Sequence, residues 1–300
     1  MQLMQQTEII TTPTLNSIFD ELDVSESTRA DYKAHSADFE AFIRQHGLSR
    51  SSLVDYKRVV ANRADLAVST KNKYIIAARL LLKGLYSTGL LPIDISSTAK
   101  TFQQSRKHKK VGLDDQEVVS LSEKLRSLTM DEETSRLKAI ASLLILQGLR
   151  QIEIVRLNVQ DIELDRGRAL ILGKGRDDKE PISLHPQTVE ALRCYLKLNK
   201  LADGPLFISR SHNSEGKRLS TRSIRNIVQK ELIELGIFKT VHGCRHYFTS
   251  KLIKEYGGDL LEVSRYTRHK DISTLQVYWD GIKSEDDLPR YYKAFEGIDF

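Results

Sequence analysis

Cysteine is scarce in this chain: two residues in 300, Cys194 and Cys244. No CxxC pair and no Cys/His spacing of zinc-site type occurs, so a disulfide framework and a structural zinc are both excluded. Both cysteines are expected to be small buried residues, and the chain reads as one for a reducing, cytoplasmic compartment. Long hydrophobic runs are missing too. The longest, around Ala139–Leu146, is far too short to span a bilayer, and no membrane partner is expected. The first ten residues, MQLMQQTEII, hold no basic stretch followed by an apolar one, so they do not read as a signal peptide. There is no internal repeat and no low-complexity tract. Acidic residues are in slight deficit: 40 against 46 Lys and Arg, a net charge of +6. A basic balance leans towards a polyanionic partner, most simply nucleic acid.

What remains is an ordinary globular composition, 40% hydrophobic and 29% charged, on a length that suggests two domains. Residues 1–13 read as an irregular, flexible N-terminus ending at Pro13. From 14 to 102 the apolar spacing is helical and predicts an all-helical domain of four or five helices. Leu15, Ile18, Phe19 and Leu22 share one face, Tyr32, Phe39, Phe42 and Ile43 another. Gly47 is a helix stop, and Ser69 or Thr70 a start that brings Lys71 and Lys73 into a first turn. Residues 103–112, QQSRKHKKVG, carry Arg106, Lys107, Lys109 and Lys110 with no apolar period before Val111. They read as a basic linker able to cross a DNA backbone. A second domain, 113–283, opens with Asp114 or Asp115 as a cap and continues through an apolar helix that ends near Gly148. The period then changes: RALILGKGRDDKEPISL reads as a β-hairpin with Lys174 and Arg176 at its tip. The rest is helical. Residues 284–300 form a C-terminal tail in which Pro289 can open a short helix and Leu288, Tyr292 and Phe295 an apolar stripe. Tyr291 and Tyr292 read as packing residues there, and Tyr247 and Tyr256 as core.

Four stretches, in order, resemble the boxes of tyrosine recombinases, the phage integrase family. LLILQGLRQIEIVRL supplies Arg150 after a Gly-Leu pair and Glu153 three positions later. LILGKGRDDKEPISL is similar to the family's hairpin, with Lys174 in the matching place and Arg176 or Lys179 as conceivable substitutes. HGCRHYFTS gives His242 and Arg245. SRYTRHKDISTLQVYWD gives His269 and, nine positions on, Tyr278. Three places depart from the family pattern: Cys244 stands where Leu is common before the Arg, the third box reads Thr267-Arg268-His269 where Leu-Gly-His is common, and the hairpin has Asp177-Asp178-Lys179-Glu180 where the family is usually more basic. The resemblance covers about 113–280. It implies a mainly α fold with a small β-hairpin or sheet, an all-helical core-binding domain and an α+β catalytic domain.

The residues suit cleavage of a DNA phosphodiester by a protein nucleophile. The spread negative charge of the transition state needs planar donor forks, which Arg150 and Arg245 supply. Tyr278 can attack to give a storable ester, and His242 can accept its proton. Lys174, on a hairpin, is the candidate acid for the 5′ oxygen. Glu153, one helical turn beyond Arg150, is read as an anchor that orients the cations. The resemblance implies that His269 donates to a phosphate oxygen. No carboxylate cluster suits Mg²⁺, so no metal, cofactor or ATP is expected. The resemblance further implies site-specific recombination of double-stranded DNA through a 3′-phosphotyrosine. It implies a homo-oligomer on DNA, a dimer per site and a tetramer in the synapse with the tail docked on a neighbouring subunit, and it leaves room for accessory DNA-bending proteins. The alternatives are a strand-swivelling type IB topoisomerase and a DNA-binding relative without catalysis.

Overall fold

In a computed structural model of the chain, residues 17–105 and 112–297 are described. The N-terminal segment 1–13 and the linker cations Arg106, Lys107, Lys109 and Lys110 fall outside these ranges. The chain divides into two compact units, 1–105 and 106–300.

The first unit holds α1 (Glu26–His46), α2 (Ser52–Ala61) and α3 (Val68–Ser87), preceded by a helical stretch at 17–20. Ser25 caps α1 by accepting the Thr28 N–H. Burial of Phe19, Phe39, Leu53, Tyr56, Ile75, Leu82 and Leu85 from all of these segments makes one core. With the stretch at 17–20, four helical segments are described in this unit. Beyond Ser87 the chain closes the core with Leu91, Ile95 and Ala99 in turns, where the Asp94 carboxylate accepts the Ser96 N–H at 2.8 Å. Asp and Ser offer the backbone such local bonds in place of a helix ladder. The start of α3 differs from the expectation: Ala67 is its cap, so Ser69 and Thr70 lie inside the first turn. Lys71 donates to the Ala61 carbonyl at 2.7 Å, and Lys73 pairs with Asp31 at 3.0 Å.

The second unit begins with α4 (Asp115–Ser127), closed by a capping box between Asp114 and Glu117. Next come α5 (Glu132–Ile145) and α6 (Gln151–Arg156). Three antiparallel strands follow, β1 (Ile162–Glu163), β2 (Arg168–Leu172) and β3 (Lys179–Ser183), in the order β1-β2-β3. Pro181 sits in β3, an edge strand, where its missing N–H costs no ladder bond. Then come α7 (Pro186–Leu198), α8 (Thr221–Glu234), α9 (His242–Glu255), α10 (Leu260–Thr267) and α11 (Ser273–Lys293). α5 is buried along most of its length through Leu137, Ala139, Ile140, Leu143 and Leu144. It anchors the core on which α6, β2, α7 and α8 pack. A separate small cluster, Ile253, Val263, Leu275 and Ile282, ties α9, α10 and α11 together.

Several expectations need correction. No helix opens at Pro289, which lies inside α11. Tyr291 and Tyr292 are not packed into a core: they are exposed and touch each other, with ring centroids 5.7 Å apart. Tyr256 ends α9 exposed against Tyr266, and Tyr247 is half-buried with its hydroxyl donating to Asp115 at 2.9 Å. Cys244 is buried, but Cys194 is only partly so. The mainly helical fold with a small sheet is as expected; the two-residue β1 is an addition to the hairpin.

Candidate active site

A cleft of about 460 Å³ in the second unit is lined by side chains from each of the four boxes. Arg150 reaches it from the first residue before α6. The turn that places it needs Gly148, whose φ is +58° and whose missing Cβ would lie 2.2 Å from the Phe248 ring. Only glycine meets both conditions cheaply. The Gly148 carbonyl, exposed by that turn, accepts a hydrogen bond from Arg245 Nη1.

Arg245 projects from α9, is almost fully buried, and donates from Nη2 to the Thr267 carbonyl at 2.6 Å. Burial, then the neighbouring Arg150, pull its guanidinium down to about 9, which still leaves it charged at neutral pH. Glu153 is 1% exposed. It accepts from the Arg150 backbone N–H and Nη1, both at 2.8 Å, and from Arg268 Nη2 at 2.8 Å. Burial alone would raise its carboxyl, but Arg268 and Arg150 together outweigh burial and hold it below the usual carboxylate range. It is a fixed anion between two cations, and not a proton carrier.

His269 follows Arg268 and places Nδ1 2.8 Å from the Thr267 hydroxyl. Burial, then Arg245, Arg150 and Arg268, push it down to about 4, so it is neutral near pH 7. Its Nε2 lies 3.5 Å from Arg245 Nη2, so the neutral ring carries one proton between two polar neighbours, the Thr267 hydroxyl at Nδ1 and the Arg245 guanidinium at Nε2. Tyr278 lies on α11 between Leu275 and Ile282, whose burial turns this face of the helix inward. Its hydroxyl is hydrogen-bonded to His246 Nδ1. Burial raises the phenol to about 12, against the lowering pull of Arg245 and Arg150.

The cleft thus gathers Arg150, Glu153, Lys174, Arg176, His242, Arg245, His269 and Tyr278. Lys174 is exposed at the hairpin tip. Arg176 lies 3.6 Å from Glu180, while Lys179 pairs with the buried Asp161. Lys71 and Lys73 belong to the first unit. The sequence reading missed two residues. The imidazole bonded to Tyr278 is that of His246, whose ring stands edge-on to His242 at 4.6 Å. The signal was present: His242 and His246 are four apart, so they share one face of α9. The other is Arg268, which occupies the glycine position with φ 55° and ψ 37° and sends a nearly buried guanidinium into the cleft. Among the described residues no cluster of His, Cys, Asp and Glu could hold a metal ion, and no helix is long and apolar enough to cross a membrane.

The phage integrase family model matches residues 112–284, more than half of the chain and the whole span of the cleft's side chains. The chain belongs to the phage integrase family. Relatives within this family of tyrosine recombinases include the tyrosine recombinase XerD of Oceanobacillus iheyensis, 28% identical over 275 residues, which cover 86% of this chain and 89% of the relative. XerC of Thermodesulfovibrio yellowstonii is 33% identical over 152 residues, 47% of this chain and 48% of the relative, about half of its length. Among solved structures, a XerH site-specific recombinase bound to a palindromic difH substrate shares the fold, with a TM-score of 0.74 at 18% identity over 94% of this chain and 85% of that one. A lambda integrase dimer bound to a core site gives a TM-score of 0.64 at 12% identity, over 88% and 92%.

Proposed function

We propose that the cleft breaks and rejoins duplex DNA with Tyr278 as nucleophile. Membership of the tyrosine recombinases makes site-specific DNA recombination the reaction class. What is proposed is how these residues divide the work. The Tyr278 oxygen attacks phosphorus, its proton passing to an imidazole. The P–O5′ bond breaks, and Lys174 gives the leaving oxygen a proton. The product is a 3′-phosphotyrosine and a free 5′-hydroxyl, and attack by another 5′-hydroxyl reverses the step. Arg150 and Arg245 neutralise the non-bridging oxygens, with His269 as a further donor. His246 Nδ1 on the Tyr278 hydroxyl supports His246 as the immediate proton acceptor, with His242 beside it. The observation that carries the reading is the convergence of two guanidiniums and an imidazole-bonded tyrosine in one cleft.

Around this centre, the helical unit of residues 14–102 is read as a DNA-binding domain and 103–112 as a basic linker. Lys71, Lys73, Arg106, Lys107, Lys109, Lys110 and Arg176 are candidate phosphate contacts. The protein is taken to work in the cytoplasm as a dimer per site and a tetramer in the synapse, with accessory DNA-bending proteins where the site requires them. Strand swivelling by a monomer is not favoured, since the curated relatives carry recombinase names. Denaturing gels of the wild-type protein on a nicked duplex bearing its site test the reading. A protein–DNA adduct is expected; its absence on every flanking sequence of the encoding element would reduce the protein to a DNA-binding relative.

A further inference from the structure

The glycine position of the third box holds Arg268, and its geometry shows what the side chain is for. Lys200 and Arg268 are the non-glycine residues of positive φ among the described ones. A left-handed conformation costs a non-glycine residue on the order of 1–3 kcal/mol, so the contacts of this side chain bear on why it stands here. Here it is held between two carboxylates. Nη2 donates to Glu153 at 2.8 Å, and Nε lies 3.4 Å from Glu180 Oε1, as an ion pair without hydrogen-bond alignment. The side chain is 6% exposed. Glu153 carries Arg150. Glu180 lies on β3, opposite Ile171 of β2, in the hairpin whose tip bears Lys174. A second strap runs the same way: Lys270 donates to the Gly175 carbonyl at 3.3 Å, beside Lys174. The segment 268–270 therefore grips the hairpin at its stem and at its tip, and it leads directly into α11 and Tyr278.

We propose that Arg268 is a positioning residue that, through Glu180, latches the β2–β3 hairpin over the cleft and so sets Lys174 against the leaving oxygen. This rests on the assignment of Lys174 as the acid. A glycine in this position keeps the backbone turn but has no latch, so the hairpin is free to swing. The arginine makes the acid's position depend on the segment that also presents His269 and Tyr278.

The test compares two substrates: ordinary DNA, and DNA whose scissile 5′ oxygen is replaced by sulfur. A thiolate leaves without a proton, so loss of the acid is masked on the second substrate. Two variants are needed. Arg268→Gly suits the left-handed backbone, and Glu180→Gln leaves the Arg268–Glu153 contact in place. Both are expected to lose about 10- to 100-fold in single-turnover cleavage of ordinary DNA, less than the roughly 10²–10⁴-fold that a positioned acid supplies, because the acid is displaced and not removed. Both are expected to stay near the wild-type rate on the sulfur substrate. In a Lys174→Ala background neither should cost anything further. The latch is overturned if Glu180→Gln cleaves ordinary DNA at the wild-type rate, or if Arg268→Gly loses equally on both substrates, which would place its effect on Glu153 and Arg150. Lys174→Ala alone separates the two levels. If it shows the substrate selectivity and the latch variants do not, only the latch fails. If it shows none, the assignment of the acid fails and the latch falls with it.

Discussion

Glu153 is the residue on which the cations of the cleft depend. Buried between Arg150 and Arg268, it is an anion whose removal leaves two guanidiniums facing each other. Glu153→Gln should therefore cost about 3 kcal/mol of folding stability, the usual penalty for breaking a buried pair. Urea denaturation at neutral pH measures it. The pH dependence follows from the sign of the shift. The folded carboxyl sits below its unfolded value of about 4.3, so its stabilisation is present above that pH and is lost as pH falls through the folded value. The Gln variant should show a shallower acid limb, and an unchanged limb would contradict the arrangement. At this scale the residues proposed for the chemistry, Arg150, Lys174, His242, Arg245, His269 and Tyr278, could be picked out because such a set in this order is rare, and all six line one cleft. Arg268 could not, because a spacing argument treats a glycine position as a matter of backbone and cannot see that a long side chain from it finds two carboxylates. His246 was passed over beside Arg245, although its spacing of four from His242 puts the two imidazoles on one face of α9. The helix presents His246 and Arg245 to the cleft from neighbouring positions.

At the scale of elements, the turn from α5 to α6 decides the geometry. Gly148 combines a positive φ with contact against Phe248, and its carbonyl is a ligand of Arg245. Gly148→Ala should destabilise the fold by at least ~1–3 kcal/mol from backbone strain alone. It should also lower cleavage by more than it lowers DNA affinity, because it displaces Arg150 and Arg245 relative to each other. Thermal denaturation alongside single-turnover cleavage checks both. A variant with wild-type stability and rate would show that the turn has no such role. The apolar helix α5 and the β2–β3 hairpin could be read from periodicity, since both bury one regular set of residues. The two-residue β1 and the turns after Ser87 could not: they are set by pairing and local side-chain bonds, which leave no period. Continuation of α11 through Pro289 was missed for a related reason. A proline removes one ladder bond, and an exposed helix end tolerates that loss.

For the whole molecule, the net charge of +6 and the basic cleft imply strong dependence of DNA binding on salt. The far end of α11 implies something separate. Every described residue from 283 to 297 is exposed, including Leu288, Tyr291, Tyr292 and Phe295. An apolar set presented this way suits contact between protomers on DNA. Ending the chain at Ser284 should leave binding of a single protomer and formation of the covalent adduct intact, but weaken cooperative occupancy of a two-fold site and its pairing with a second. Gel-shift titration checks this, and normal pairing by the truncated chain would remove the tail from assembly. The central claim is that one tyrosine, Tyr278, carries the broken strand. Tyr278→Phe removes a hydroxyl and keeps the ring that packs between Leu275 and Ile282. The most direct measurement is adduct formation by this variant on a nicked duplex at matched occupancy, together with peptide mapping of the wild-type adduct. The mechanism predicts wild-type DNA affinity, no adduct from the variant, and a wild-type peptide containing Tyr278; an adduct that persists in Tyr278→Phe, or maps to Tyr291 or Tyr292, would contradict it.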